Sequence, residues 1–404
     1  MAVTIPVTPN SSRVAASARE TSRVFAREWP IYAVLAASTA IVVGLIWDIS
    51  WHRTIGRDTF WSPPHVMEQV GAIVAGLSCG YVALHTTFAG SNADRARSVR
   101  FWRFFQAPLG AWVCIWGTIM MITSAPFDDW WHNAYGLDVK IISPPHLILA
   151  SGMIAIQLGA MLMALGAQNR ASDERSSRRL GMIFIFSSAV IIEMISIMVT
   201  EDASFANAMH SARFYIATAL VFPVFLVAFA RASRLSWPMT RIAVTYMLIT
   251  MMAIWILQLV PATAKLAPIY NPVTHMRPPA FPLLLVVPAA AIDLLLTRTR
   301  RLNDWLLAAV IGTAFVGLML AVHWFWAEFM MSPGARNFFF GADQWDYSSR
   351  LGPWRYQYWN LDVDSAGKWS VMKFASGMGI ALLVAIASTR IGLAWGKGMA
   401  RVKR

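Results

Sequence analysis

The chain has 404 residues, 57% of them hydrophobic and only 14% charged, and its mean hydropathy is +0.51. That composition excludes an ordinary soluble domain and indicates repeated membrane spans. The net charge of +13 is no footprint of nucleic acid, because most basic residues sit in short connections between apolar runs, where positive charge sets topology.

Residues 1–30 form a polar, basic tail with Arg13, Arg19, Arg23 and Arg27. No small-residue cleavage site follows the first apolar run, so it is expected to be an uncleaved first span. Ten spans are expected, at roughly 31–47, 65–88, 104–125, 146–168, 180–200, 212–230, 241–262, 280–297, 304–328 and 370–395. Each is near the ~20 residues a bilayer requires. The expected fold is therefore all-α, a polytopic transmembrane helical bundle. It comprises a metal-binding region over 31–170 and a C-terminal region over 171–404.

The even-numbered connections carry the basic residues: Arg95, Arg97, Arg100 and Arg103; Arg170, Arg175, Arg178 and Arg179; Arg231, Arg234 and Arg241; Arg298, Arg300 and Arg301. By the positive-inside rule that face is cytoplasmic and the chain is an integral inner-membrane protein. Cys79 and Cys114 lie inside apolar runs, outside any CxxC pair, so no disulfide framework or thiolate metal site is expected.

One polar pattern is written twice on the opposite face. The first copy is Asp48-Ile49-Ser50-Trp51-His52, then Gly56, Asp58 and Ser62-Pro63-Pro64-His65. The second is Asp128-Asp129-Trp130-Trp131-His132, then Gly136, Asp138 and Ser143-Pro144-Pro145-His146. Asp and the first His are four residues apart in both copies, and the second His follows 13 and 14 residues later. A carboxylate and an imidazole at that offset share a helix face. Proline is tolerated in a helix's first turn, so each Pro-Pro pair should open a helix, with the preceding Ser as its N-cap and His65 or His146 held rigidly at the start. Asp48, His52 and His65, and likewise Asp128, His132 and His146, are thus expected to be metal ligands. Imidazole and carboxylate without thiolate suit copper, with iron or zinc as alternatives.

Asp58, Asp138, Arg53 and Arg57 are expected to be structural. Trp47, Trp51, Trp61, Trp130 and Trp131 fit interfacial anchors that would also wall off a metal. The aromatic-rich segment 329–369 reads as an interfacial loop. Glu193 and Asp293 are carboxylates in or at the end of apolar runs, where charge is costly and often functional.

The residues from Trp47 to His65 carry a family resemblance. Asp48-x3-His52 followed by Arg57-Asp58-Thr59-Phe60-Trp61-Ser62-Pro63-Pro64-His65 resembles the C subunit of copper membrane monooxygenases, the particulate methane and ammonia enzymes. The resemblance covers about residues 31–170. It implies one copper on Asp48, His52 and His65 and a nearby site on Asp128, His132 and His146. In the family that second set begins with Asn, so Asp128 adds a negative charge there.

The resemblance further implies a monooxygenase subunit that hydroxylates a small, weakly polar substrate, such as a short hydrocarbon or ammonia, with O2. Electrons must come from an external donor, since no haem, flavin or nucleotide motif is visible, and additional subunits and membrane lipid are the expected partners. Two other classes compete: a copper or zinc transport or delivery protein, and a non-catalytic scaffold subunit of an oxidase complex. Polar residues through the bilayer centre would mark the transporter.

Overall fold

The computed structural model describes residues 10–56, 59–136, 143–202, 208–263, 274–298, 302–341, 362, 365–366 and 368–403. Among these the chain is all-α, a polytopic transmembrane bundle. The long helices are α1 (Asn10–Thr54), α2 (Pro63–Phe88), α4 (Leu109–Tyr135), α5 (Pro144–Arg170), α6 (Glu174–Asp202), α7 (Ala212–Ala232), α8 (Pro238–Leu257), α10 (Asp304–Met330) and α11 (Val371–Met399). These nine are long and apolar enough to cross a membrane. A short helix α3 (Asn92–Ala96) and a hairpin of β1 (Val99–Phe101) and β2 (Phe105–Ala107) fill the first basic connection.

Helix α6 is the central post, with 72% of its most apolar window buried. Phe184 of α6, Phe214, Tyr215, Phe222 and Phe229 of α7, and Tyr246 of α8 form the inner core. Lipid tails are as apolar as a leucine face, so spanning helices associate through close packing of small residues. Helices α4 and α5 follow that rule. A Cβ on Gly117 would come 2.7 Å from the Gly152 carbonyl oxygen, and one on Gly152 would come 2.7 Å from that of Gly117. The α1/α2 pair does the same, with Gly71 against the Ala37 carbonyl.

The eighth expected span, 280–297, is not one helix. Only Val286–Arg298 is helical, as α9, whose 13 residues reach about 20 Å. The chain before it is non-helical yet buried, with Leu283 and Leu285 fully inaccessible. Backbone N–H groups at such depth need partners. Pro278, Pro279 and Pro282 have none to satisfy. Leu283 N–H donates to the Tyr246 hydroxyl (2.9 Å) and Leu284 N–H to His323 Nε2 (3.2 Å). The span is broken, and side chains of α8 and α10 replace its missing helical hydrogen bonds.

Both repeat copies lie at the same end of the bundle. Thr118 of α4 donates to the Ala72 carbonyl of α2 at 3.0 Å. His65 lies roughly 10 Å outward of that contact along α2, and Asp128 roughly 15 Å outward along α4.

Candidate metal centre

The first copy is assembled from the last turns of α1 and the first turn of α2. Asp48 and His52 sit one turn apart, and Asp48 Oδ2 is 3.6 Å from His52 Nε2. The helix ends at Thr54, and Gly56 takes φ +98° as the chain leaves it. A tight turn follows, in which Thr59 N–H donates to Ser62 Oγ (2.8 Å) and Ser62 N–H to the Thr59 carbonyl (2.9 Å). Helix α2 then starts with Pro63 and Pro64 and delivers His65, whose Nε2 lies 3.2 Å from Asp48 Oδ1.

Ser62 stands at the N-cap position but does not cap. A capping hydroxyl accepts from the second or third helical N–H, and the proline in the second position has none. The hydroxyl instead closes the Thr59–Ser62 turn. That turn aims the Thr59 carbonyl at His65 Nδ1, 3.0 Å away. A carbonyl can only accept, so Nδ1 carries the proton. In the neutral ring Nε2 therefore presents its lone pair to Asp48.

Asp48 Oδ1 is buried and accepts no hydrogen bond among the described residues. A lone pair set 3.2 Å from an orphaned carboxylate oxygen is repulsive unless a cation or a proton lies between them. The donor atoms of Asp48, His52 and His65 all lie within 4.8 Å of one another. Atoms bound to one ion at about 2.1 Å lie at most about 4.2 Å apart, and the Asp48 carboxylate comes within that limit of both rings, Oδ1 at 3.2 Å from His65 and Oδ2 at 3.6 Å from His52. Two imidazoles and one carboxylate with a fixed tautomer thus fit a transition-metal ion. Trp47 and Trp51 pack into the apolar cluster below the site.

The second copy has the same parts more loosely set. Asp128 Oδ1 lies 3.4 Å from His132 Nε2 and 3.9 Å from His146 Nε2, and it too is buried without a hydrogen bond among the described residues. His132 Nδ1 donates to the Gly136 carbonyl at 3.1 Å, which fixes the same tautomer. Gly136 holds φ +83° and ψ −173°, a conformation open essentially to glycine alone. Ser143 likewise stands at an N-cap position without capping. Its hydroxyl turns to His146 Nδ1 at 2.9 Å. The Asp128 side chain is 34% exposed against 16% for Asp48. Among the described residues only the first trio gathers three donor atoms within 4.8 Å.

The remaining histidines stand elsewhere. His323 is buried at the span break, His210 packs on Trp324 with Nε2 3.7 Å from Glu328 Oε1, and His275 Nδ1 meets its neighbour Thr274. Asp293 accepts from the Met239 and Thr240 backbone N–H groups and the Thr240 hydroxyl, an α8 helix-start role. Glu193 is buried, with Thr250 donating to it at 2.7 Å. Arg57, Asp58, Asp138 and most of segment 329–369 lie outside the described residues.

Two features of the site escape a reading of spacing alone. Glu68, buried on α2 one turn inward of His65, packs under Gly44, where a Cβ would come 2.7 Å from its Cγ. A carboxylate inside an apolar run was the available signal. Arg277 is also tied to the site helix: Ser50 Oγ donates to its carbonyl (2.6 Å), and its N–H donates to Thr54 Oγ1 (2.9 Å). That bracket joins residues separated by more than 200 positions and has no local signature.

No family model, no curated protein and no solved structure matches this chain.

Proposed function

We propose that the chain is a copper-dependent membrane monooxygenase subunit that hydroxylates a small, weakly polar substrate, such as a short hydrocarbon or ammonia, with O2. The observation that carries this reading is the fixed His65 tautomer facing the orphaned Asp48 oxygen, within a segment whose residues resemble the copper-binding C subunit. Asp48, His52 and His65 would hold the ion, and copper bound there would supply the one-electron chemistry that O2 activation requires.

The chain's own residues do the rest. Asp48 contributes the anionic donor. The Thr59 carbonyl, positioned by Ser62, fixes the ring of His65 and raises its basicity. Trp47 and Trp51 exclude water from the inner side. The site lies opposite the basic face, and the positive-inside rule assigns it to the periplasm. Electrons then come from an external donor, and further subunits complete the enzyme.

The test is O2-dependent conversion of a short alkane or of ammonia by membranes containing the complex, together with copper content. Asp48→Ala is expected to abolish conversion and to remove the copper of the first trio while the protein still accumulates. Conversion at the wild-type rate in Asp48→Ala would overturn the reading.

A second reading, metal transport or delivery, has one observation in its favour. The broken span before α9 and the buried Glu193–Thr250 pair put irregular backbone and a carboxyl group inside the bundle, as transporter binding sites do. Metal uptake into vesicles by the isolated chain, lost in Glu193→Gln and without oxygen consumption, would favour it. A scaffold that merely retains ligands would show neither activity.

A further inference from the structure

A groove of about 430 Å³ lies between α1, α6 and α8 at the basic end of the bundle. Its walls include Leu35 of α1, Met182, Ile183 and Phe186 of α6, and the Thr245 side chain of α8. The Thr245 hydroxyl is spent on the Arg241 carbonyl at 2.8 Å, so it offers the groove little polarity.

Two guanidinium groups bear on the groove: Arg179 lines it, and Arg241 touches its wall at Met182. Arg179 pairs with Glu28 through Nη2, at 2.8 and 3.0 Å. Its Nε–H is buried and has no acceptor among the described residues. Arg241, one turn from Thr245, donates through Nε to the Ser236 carbonyl (2.8 Å) and through Nη1 to the thioether of Met182 (3.7 Å). Neither acceptor carries charge. Among the described residues Arg179 thus has one carboxylate partner, Glu28, while the acceptors of Arg241 are uncharged.

Depth identifies the occupant. From Arg179 to Thr200, the outer limit of the α6 span, is about 32 Å of helix, close to the ~30 Å hydrocarbon thickness. A hydrocarbon layer that ends at Thr200 therefore has Arg179 at its other boundary, with Ile183 and Phe186 of the groove farther along α6. A phosphate at that level meets guanidinium donors, for which it has matching geometry. An alkyl chain attached to it meets Ile183 and Phe186.

We propose that this groove binds one anionic phospholipid, with its phosphate on Arg241 and Arg179 and an acyl chain along Leu35, Ile183 and Phe186. The site lies at the opposite end of the bundle from the two histidine trios, and the inference stands independently of the metal.

Native mass spectrometry of the full chain in detergent, titrated with phosphatidylglycerol or phosphatidylcholine, tests it. One phosphatidylglycerol should bind about tenfold more tightly than phosphatidylcholine, a difference well within what desolvated charge-assisted contacts supply. Arg241→Gln should remove that preference. Ile183→Trp, which fills the groove while leaving the charges, should weaken both lipids about tenfold. If Arg241→Gln does not fold, the wild-type lipid preference and Ile183→Trp decide. Equal binding of the two lipids by the wild type, or wild-type binding in Ile183→Trp, would overturn the proposal. Displacement of the lipid by millimolar inorganic phosphate would do so too, since it would identify a free-anion site.

Discussion

At the residue scale, the site depends on groups that bind nothing themselves. Gly136 turns its carbonyl onto His132 Nδ1 through a backbone conformation that a side chain resists, and among the described residues no atom lies within 4 Å of where a Cβ would stand. Gly136→Ala is therefore a test of the backbone conformation. It is expected to cost about 1–3 kcal/mol locally and to lower metal occupancy of the second trio while leaving the first unchanged, as read by metal per chain in Gly136→Ala and in Gly136→Ala/His65→Ala. Ser62 acts similarly in the first copy. Ser62→Ala releases the turn that aims the Thr59 carbonyl at His65 and should weaken metal binding by about 10- to 100-fold. Helix content should not change, because Ser62 does not cap α2. A competing-chelator titration measures the effect, and wild-type affinity would show that the Thr59 contact does not orient the ring. The meeting of Asp48, His52 and His65 was legible in the sequence, since the four-residue offset and the Pro-Pro helix start follow from local geometry. The duty of Ser62 and Ser143 was not. An N-cap is the ordinary use of serine before a helix, but with proline in the second helical position the Ser62 hydroxyl takes the Thr59 N–H and the Ser143 hydroxyl turns to His146 Nδ1.

At the element scale, apolar runs located the spans but not the break in the eighth. Hydropathy over 280–297 is that of a crossing segment, yet only Val286–Arg298 of it is helical. What the sequence does not display is that Tyr246 and His323, 30 to 40 residues away on other helices, accept the two N–H groups a helix would have satisfied. Tyr246→Phe leaves Leu283 N–H buried without an acceptor and should cost about 1–3 kcal/mol, seen as a lowered unfolding temperature in detergent. A stability equal to wild type would mean that the break has another partner for that group. The β1/β2 hairpin was also invisible. Trp102 and Arg103 form its turn at φ +48° and +63°, a conformation normally signalled by Asn or Gly. Helix pairing, by contrast, follows small residues that can be read from the sequence once the neighbour is known. Gly152→Leu would drive a side chain into the Gly117 carbonyl and separate α4 from α5, which carry the second trio. Overpacking of this kind costs about 1–3 kcal/mol, so Gly152→Leu should melt earlier than Gly379→Leu on α11, where the added side chain meets open space.

At the scale of the whole molecule, the bundle has two chemically different ends. The basic connections meet at one: Arg231 Nη1 lies 3.4 Å from Asp304, Arg234 donates to the Gln168 carbonyl, Asn169 to that of Val402 and Arg170 to that of Lys403. At the other end are both histidine trios, the Ser50–Arg277 bracket, and Asp362 accepting from the Ala212 N–H at the start of α7. The broken span matters to this arrangement, because an odd or even number of crossings between α8 and α10 decides which ends share a side. Counting 276–298 as a crossing puts Asn133, at the end of the third helical span, and Asn337, after α10, on one side of the membrane, with Ser236 on the other. Cys79 and Cys114 are buried, so single cysteines at these exposed positions can be read against a low background. In intact cells with a permeabilised outer membrane, Asn133→Cys and Asn337→Cys should react with a membrane-impermeant thiol reagent, and Ser236→Cys should react only after the inner membrane is opened. Labelling of Asn133→Cys without Asn337→Cys would mean that 276–298 does not cross. Labelling of Ser236→Cys alone would place both trios on the cytoplasmic side, against the positive-inside rule, and would remove the periplasmic electron donor from the proposed mechanism.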